Sequence, residues 1–282
     1  MSLQALKSPS FHSTLPNEII SIILSSARLL ATAGIFFFHI FGMANLNNKN
    51  IDFISILIFC FLSGFLGSKV NMQPHKWIIK RFFSIMIPYW FVIIPAVIIN
   101  RIIHYKGTTL LMDIITILGG NLFLNNPVYV IAWYITFVLI LYFFLYIQSV
   151  ICLPKILIWT IGYFIISYFL HKQWYFLSFA VGYFSSKYIF FSYKIDTFQT
   201  KVGFFLFNLG KYCYPFFLVH GGILVFLYYF LKLSILYTVF LGFIFSSCLS
   251  FLLVKMSKPL IVRLANKALQ WTPVSLALHR RH

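Results

Sequence analysis

The chain has 282 residues, of which 61% are hydrophobic and only 9% charged, whereas a soluble domain carries about a quarter charged residues. Apolar runs of about 20 residues recur along almost the whole length, so the chain reads as a polytopic helical membrane protein. Their continuous character excludes a transmembrane β-barrel, and the formal charge of +18 is accounted for by cytoplasmic loops that collect Lys and Arg, without nucleic acid as a partner.

In chain order, MSLQALKSPSFHSTLPNE has no apolar core ahead of a cleavage site, so residues 1–18 are expected to be a cytoplasmic segment and not a signal peptide. Eight spans follow, at about 19–42, 51–68, 83–100, 129–150, 155–170, 174–190, 212–231 and 235–256. They form one membrane domain, 19–256, followed by a basic cytoplasmic tail, 257–282. Within the tail, 258–271 is read either as a basic amphipathic helix on the membrane surface or as an ordinary tail. The apolar segment 111–124 contains Gly119-Gly120 and runs into Asn125-Asn126-Pro127. Fourteen residues reach only about 21 Å against a hydrocarbon core of about 30 Å, so the segment is re-entrant, interfacial or a tilted ninth span.

Basic residues arbitrate the topology. With a cytoplasmic N-terminus and 111–124 not crossing, Lys49, Arg101, Lys106, Lys172 and Lys232 lie outside, Arg28 lies in the membrane, and the other sixteen Lys and Arg lie inside. If 111–124 crosses, the bias reverses. The expected fold is therefore an all-α transmembrane bundle with both termini cytoplasmic.

Arg28 and His39 are eleven residues apart in the first span, about 20° past three full turns, and so share one helix face roughly 16 Å apart. Two ionisable groups on one intramembrane face point to a lined cavity rather than lipid contact. Each taken singly is equally a snorkelling arginine or a satisfied interfacial histidine. Lys76, Lys80 and Arg81 precede a span containing Pro88; they are either a positive-inside anchor or a clamp for cofactor phosphates. Ser63-Gly64 in FCFLSGFL reads first as close helix packing. Trp133 and Tyr142, nine apart in AWYITFVLILY, are expected to share a face, as core or as interfacial belt. His220, in YPFFLVHGGI, is a third intramembrane ionisable group. The four acids, Glu18, Asp52, Asp113 and Asp196, all fall outside the spans, so paired-carboxylate chemistry is not expected. Asp52 begins the second span, where it caps the helix or orients the His39 imidazole. Cys60, Cys152, Cys213 and Cys248 lack CxxC spacing and read as buried hydrophobes, not as metal ligands. No Gly-rich phosphate loop is present.

ARLLATAGIFFFH, FCFLSGFL, IKRFFSIMIPYW, AWYITFVLILY, FAVGYF and LGKYCYPFFLVH follow one another in the order seen in the acyltransferase family 3 integral-membrane proteins, which the chain resembles from about residue 25 to 225. The resemblance implies about ten helices with cytoplasmic termini. It also implies transfer of an acyl group, usually acetyl from acetyl-CoA, to a hydroxyl of an envelope or exported glycan such as O-antigen, lipooligosaccharide or capsule. It places the family's principal functional pair on Arg28 and His39, and the first arginine of its Arg-x-x-Arg motif on Arg81, with Ser84 at the second. A glutamate common in the family falls on Val138, while Tyr142 matches. The location implied is a bacterial inner membrane.

On this reading Lys80 and Arg81 hold the acetyl-CoA phosphates, and Arg28 holds the pantetheine–diphosphate end or organises the pore. His39 acts as general base or is itself acetylated, and His220 contacts the acceptor or relays a proton. The partners are membrane lipid and a glycan or lipid-linked glycan acceptor. The alternative is a transporter or flippase for a lipid-linked sugar or small anion, using the same Arg and His without covalent chemistry.

Overall fold

Continuous apolar sequence in lipid must satisfy its backbone internally, and the chain does so with helices. The computed structural model describes residues 17–46, 49–67, 73–103, 107–124, 129, 132–151, 153–188 and 201–270, and contains no strand among them. The helices are α1 (Asn17–Met43), α2 (Lys49–Gly67), α3 (Pro74–Ile103), α4 (Leu110–Ile117), α5 (Trp133–Val150), α6 (Lys155–Ile165), α7 (Gln173–Tyr188), α8 (Lys201–Gly210), α9 (Cys213–Val225) and α10 (Ile235–Gln270). A π-helical turn extends α6 through Ile166–Leu170 and another extends α9 through Phe226–Phe230.

Six of these helices, α1, α2, α3, α5, α9 with its extension, and α10, are long and apolar enough to cross a membrane. The chain is thus an integral membrane protein by length and composition. The expected spans at 155–170 and 174–190 do form helices, but the first, with its π turn, covers Lys155–Leu170 and α7 has 16 residues. Either reaches about 24 Å at 1.5 Å per residue.

The segment 111–124 is not a single span. Its helix, α4, has eight residues, about 12 Å of rise, and is capped by the Thr109 hydroxyl, which accepts from Met112 N at 3.2 Å. Gly119 then turns the chain at φ +84°, where a side chain would be strained, and a 3₁₀ turn follows at Asn121–Phe123. Polar side chains of α3 and α5 bind this turn. Tyr89 Oη donates to Thr116 O at 2.5 Å and Trp90 Nε1 to Ile117 O at 3.0 Å, while Thr136 donates to Gly119 O. Asp113 is buried and pairs with Arg101; it also accepts from Thr108 Oγ1 at 2.8 Å. Leu110, Leu111, Ile114 and Leu118 are exposed. One face of α4 is therefore bonded to the bundle and the other is apolar.

The tail boundary expected at 256/257 falls inside α10, whose 36 residues run to Gln270. At about 54 Å, α10 exceeds a 30 Å core, and Lys255, Lys258, Arg263 and Lys267 all lie in its second half. Asn17 and Glu18, expected in the N-terminal segment, belong to α1. The rest of that segment, the tail beyond 270, Asn125-Asn126-Pro127 and Asp196 lie outside the described residues.

Helix α1 is central and packs against α2, α8, α9 and α10, while α2 makes the most extensive contact of all, with α7. Glycines permit that approach. A Cβ on Gly64 would meet the carbonyl group of Phe179, and one on Gly182 would meet that of Phe61. Each glycine thus sits against the partner's backbone, the small-residue packing that membrane helices favour.

Candidate functional site

The 27-residue α1 carries both members of the expected pair. His39 lies near its C-terminal end, half-buried, with its ring 5.3 Å from that of His220 on α9 and inclined at 44°. Sequence placed these two imidazoles in separate spans 181 positions apart; packing of α1 on α9 brings them together. His220 is 1% exposed and is boxed by Phe36, Phe216 and Phe217 at centroid distances of 6.1, 5.8 and 6.0 Å.

The His220 tautomer follows from its partner. Nδ1 lies 3.1 Å from Phe216 O, and a carbonyl oxygen only accepts, so Nδ1 carries the proton. The neutral ring therefore presents a lone pair at Nε2, which has no hydrogen-bond partner among the described residues. Leaving such an acceptor unpaired would cost about 1–3 kcal/mol, so Nε2 is a candidate contact for a water or a substrate hydroxyl.

His39 forms part of the wall of a cavity of about 940 Å³ bounded by α1, α3, α9 and α10. That is the upper end of the size range of small-molecule sites, about 300–1,000 Å³. Among the described residues, His39, Asn100 and Tyr129 alone bring polar side chains to its lining. Asn100 Nδ2 donates to Thr108 at 3.2 Å. Tyr129 donates to Leu218 O and accepts from Gly222 N.

Arg28 lies deeper on α1, half-buried, where its charge acts on the Cys213 thiol at the start of α9. The heights between Arg28 and His39 are taken by Thr32, which donates to Arg28 O at 2.8 Å, by buried Ile35, and by Phe36, edge-on to Phe216 at 5.6 Å. Arg28 and His39 are thus separated by an aromatic layer and not joined by a polar line. A second cavity of about 650 Å³, with Thr32, Phe36, Cys213 and Phe216 in its wall, lies beside that layer.

Trp133 and Tyr142 do not share a face. Nine steps of 100° end half a turn off. Accordingly, Trp133 meets Tyr175 of α7 at 6.0 Å, while Tyr142 meets Trp77 of α3 at 5.3 Å. At Tyr142 the structure brings together residues that sequence had treated apart. The Arg81 guanidinium lies 5.6 Å from the Tyr142 ring and 5.7 Å from the Trp77 ring, and its Nη2 donates to Leu66 O at 3.4 Å. Cation–π contacts of this kind hold a guanidinium in place while leaving most of its donors unused. Beside it, His75 Nδ1 and Tyr146 Oη are 2.9 Å apart. Lys80 is exposed, and Ser84, at the second position of the Arg-x-x-Arg pattern, donates to Lys80 O at 2.6 Å, a bond within its own helix. Val138 is buried in the core.

Asp52 neither caps α2 nor orients His39. It lies in the first turn of a helix that begins at Lys49, and it makes no hydrogen bond to His39 among the described residues. Its electrostatic partner is Lys172, whose Nζ sits 4.5 Å from the Trp133 ring and 5.7 Å from the Tyr175 ring. Burial holds the Lys172 ammonium below its ordinary value, and the Asp52 charge opposes that shift. Ser63 faces the Tyr134 hydroxyl, and Gly64 is the close-packing glycine against α7. No three His, Cys, Asp or Glu side chains converge to hold a metal among the described residues.

The sequence reading did not single out Tyr129, Lys172, Tyr175 or the His75–Tyr146 pair. Each acts through a neighbour on another helix, and no spacing within one span signals such a contact. No family model, curated protein or solved structure matches the chain.

Proposed function

We propose that this chain is an integral-membrane O-acyltransferase of the acyltransferase family 3 kind. It would move an acyl group, acetyl in the first instance, from cytoplasmic acyl-CoA to a hydroxyl of an envelope glycan such as O-antigen, lipooligosaccharide or capsule. The observation that carries the reading is the pair of imidazoles, His39 and His220, 5.3 Å apart beside a cavity of about 940 Å³. Histidine is the usual general base for such a proton, and an apolar lining disfavours the water that would hydrolyse a thioester. The finer topology proposed is eight to ten helices with both termini cytoplasmic, in a bacterial inner membrane.

In the reaction proposed, the acceptor oxygen attacks the thioester carbonyl carbon while His39 takes the hydroxyl proton. The new C–O bond forms as the C–S bond breaks, and the proton passes to the leaving sulfur to give free CoA thiol. Acylation of His39 followed by transfer to the hydroxyl reaches the same products in two steps. Arg81, held by Trp77 and Tyr142 with donors to spare, is the phosphate contact at the donor end, together with exposed Lys80. The aromatic layer at Phe36 and Phe216 weighs against the transporter alternative, which needs a polar path from Arg28 to His39.

The test is complementation. Wild type and His39→Ala are expressed in the source organism deleted for the gene, and acetyl esters are measured on its purified surface glycans. Esters are restored by the wild type and absent with equally abundant, membrane-inserted His39→Ala. Restoration by both removes His39 from the chemistry, and no ester change alongside altered glycan export favours the transporter.

A further inference from the structure

We infer that the 940 Å³ cavity is the seat of the hydrocarbon chain of a lipid-linked acceptor, with the glycan end of that lipid presented at His39; the inference rests on the acyltransferase reading. Apart from His39, Asn100 and Tyr129, every lining side chain is aliphatic, aromatic, thioether or glycine. A free glycan has nothing to bond along such a surface. A hydrocarbon chain that leaves lipid tails for such a surface loses no apolar contact and is held there by packing.

The position selects the acceptor over the donor. The α3 part of the lining runs from Phe91 to Ile103, which begins about 15 Å beyond Arg81 along the helix and ends about 33 Å beyond it. The donor end at Arg81, Trp77 and Tyr142 is therefore remote from the cavity, while His39 stands in its wall. The cavity also lies between helices that qualify as membrane spans, α1, α3, α9 and α10. Ile99, Phe226, Phe230 and Met256 line it and are exposed at the bundle surface, so a chain can enter sideways from the bilayer. Space is kept by Gly222, where a Cβ would meet only Tyr129, at 3.5 Å, an ordinary contact.

Gly222→Phe therefore fills the cavity without pressing on backbone. Ala96→Phe fills it from α3, and Ile98→Phe, on the exposed side of α3 away from the lining, is the control. The full chain in nanodiscs is irradiated with a polyprenyl phosphate carrying a diazirine, and the labelled residues are mapped by mass spectrometry. Labelling is expected on the cavity-facing parts of α3, α9 and α10. It should fall about tenfold in Gly222→Phe and Ala96→Phe and stay unchanged in Ile98→Phe. A diazirine phosphatidylcholine should label the outer face of α3 equally in all four proteins. Undiminished polyprenyl labelling in both filled variants overturns the inference. So does displacement of the probe by phosphatidylcholine at equal concentration, which would make the cavity a seat for bulk lipid. In the transfer assay the filled variants should raise KM about tenfold for the lipid-linked acceptor and leave it unchanged for the same glycan without lipid. Specific labelling with no acyl transfer by the wild type supports the cavity while removing the acyltransferase reading.

Discussion

Replacing Gly64 by Ala tests the packing that fixes the bundle. A methyl group there would lie 2.9 Å from the Phe179 carbonyl carbon and 3.0 Å from Tyr183 N, closer still to the Phe179 oxygen. These are backbone atoms with no rotamer to yield, so α2 and α7 must part by roughly 1 Å along their whole contact. Overpacking of this kind costs about 1–3 kcal/mol, and the gain in helix propensity from Gly to Ala returns at most about 1 kcal/mol. A net loss of about 1–2 kcal/mol is expected, roughly five- to thirtyfold in the unfolding equilibrium. Gly182→Ala should cost as much, because its methyl group would sit 2.8 Å from the Phe61 carbonyl carbon. The double variant should cost less than the two losses added, since helices already parted by one methyl group admit the second. Gly67→Ala meets only the end of Leu145, at 2.5 Å, and should be milder; Gly42→Ala meets nothing within 4 Å and should be neutral or slightly stabilising. Reversible unfolding of the five variants in mixed micelles, followed by tryptophan fluorescence, reads the series. Gly64→Ala as stable as Gly42→Ala would refute the reasoning.

His220→Phe keeps an aromatic ring, slightly larger than imidazole, and removes both ring nitrogens, so the fold should be retained while acyl transfer is lost; a folded and fully active variant removes Nε2 from the reaction. Asp113→Ala leaves Arg101 and Thr108 without their shared acceptor and should destabilise by about 1–3 kcal/mol, read by the same unfolding assay. Arg81→Lys keeps the charge but loses the planar fork stacked on Trp77 and Tyr142, so KM for acyl-CoA should rise several-fold while KM for the acceptor stays fixed. Thiol labelling of single cysteines placed at Lys49 and Lys258 should be restricted to opposite faces of right-side-out vesicles; labelling of both from one side contradicts the topology.

Much of the architecture was written in individual spans. Runs of apolar residues located α1, α2, α3, α5, α9 and α10, and 111–124, too short for an ordinary span, forms the eight-residue α4 followed by a glycine turn and a 3₁₀ turn. Periodicity misled where it was applied loosely, as at Trp133 and Tyr142, whose nine-residue spacing points them to different neighbours. The site was legible in parts. Arg28, His39 and His220 stood out because ionisable side chains are costly in lipid, Arg81 as a cation ahead of a span, and Tyr142 through its spacing from Trp133 and the family pattern. Their grouping did not, because it depends on which helices touch. His39 meets His220 only through the α1–α9 contact, and Arg81 meets Tyr142 only where α3 lies on α5. Asp52 shows the converse: near His39 in sequence, it acts electrostatically on Lys172, just ahead of α7.

The most direct test of the central claim uses the purified chain in proteoliposomes with acetyl-labelled acetyl-CoA and glycolipids extracted from the source membrane. Label should appear on the glycolipid as an alkali-labile ester, matched one-to-one by free CoA thiol, and both should vanish with His39→Ala. Glycolipid movement across the bilayer with no dependence on acetyl-CoA, and no labelled ester, would contradict that claim.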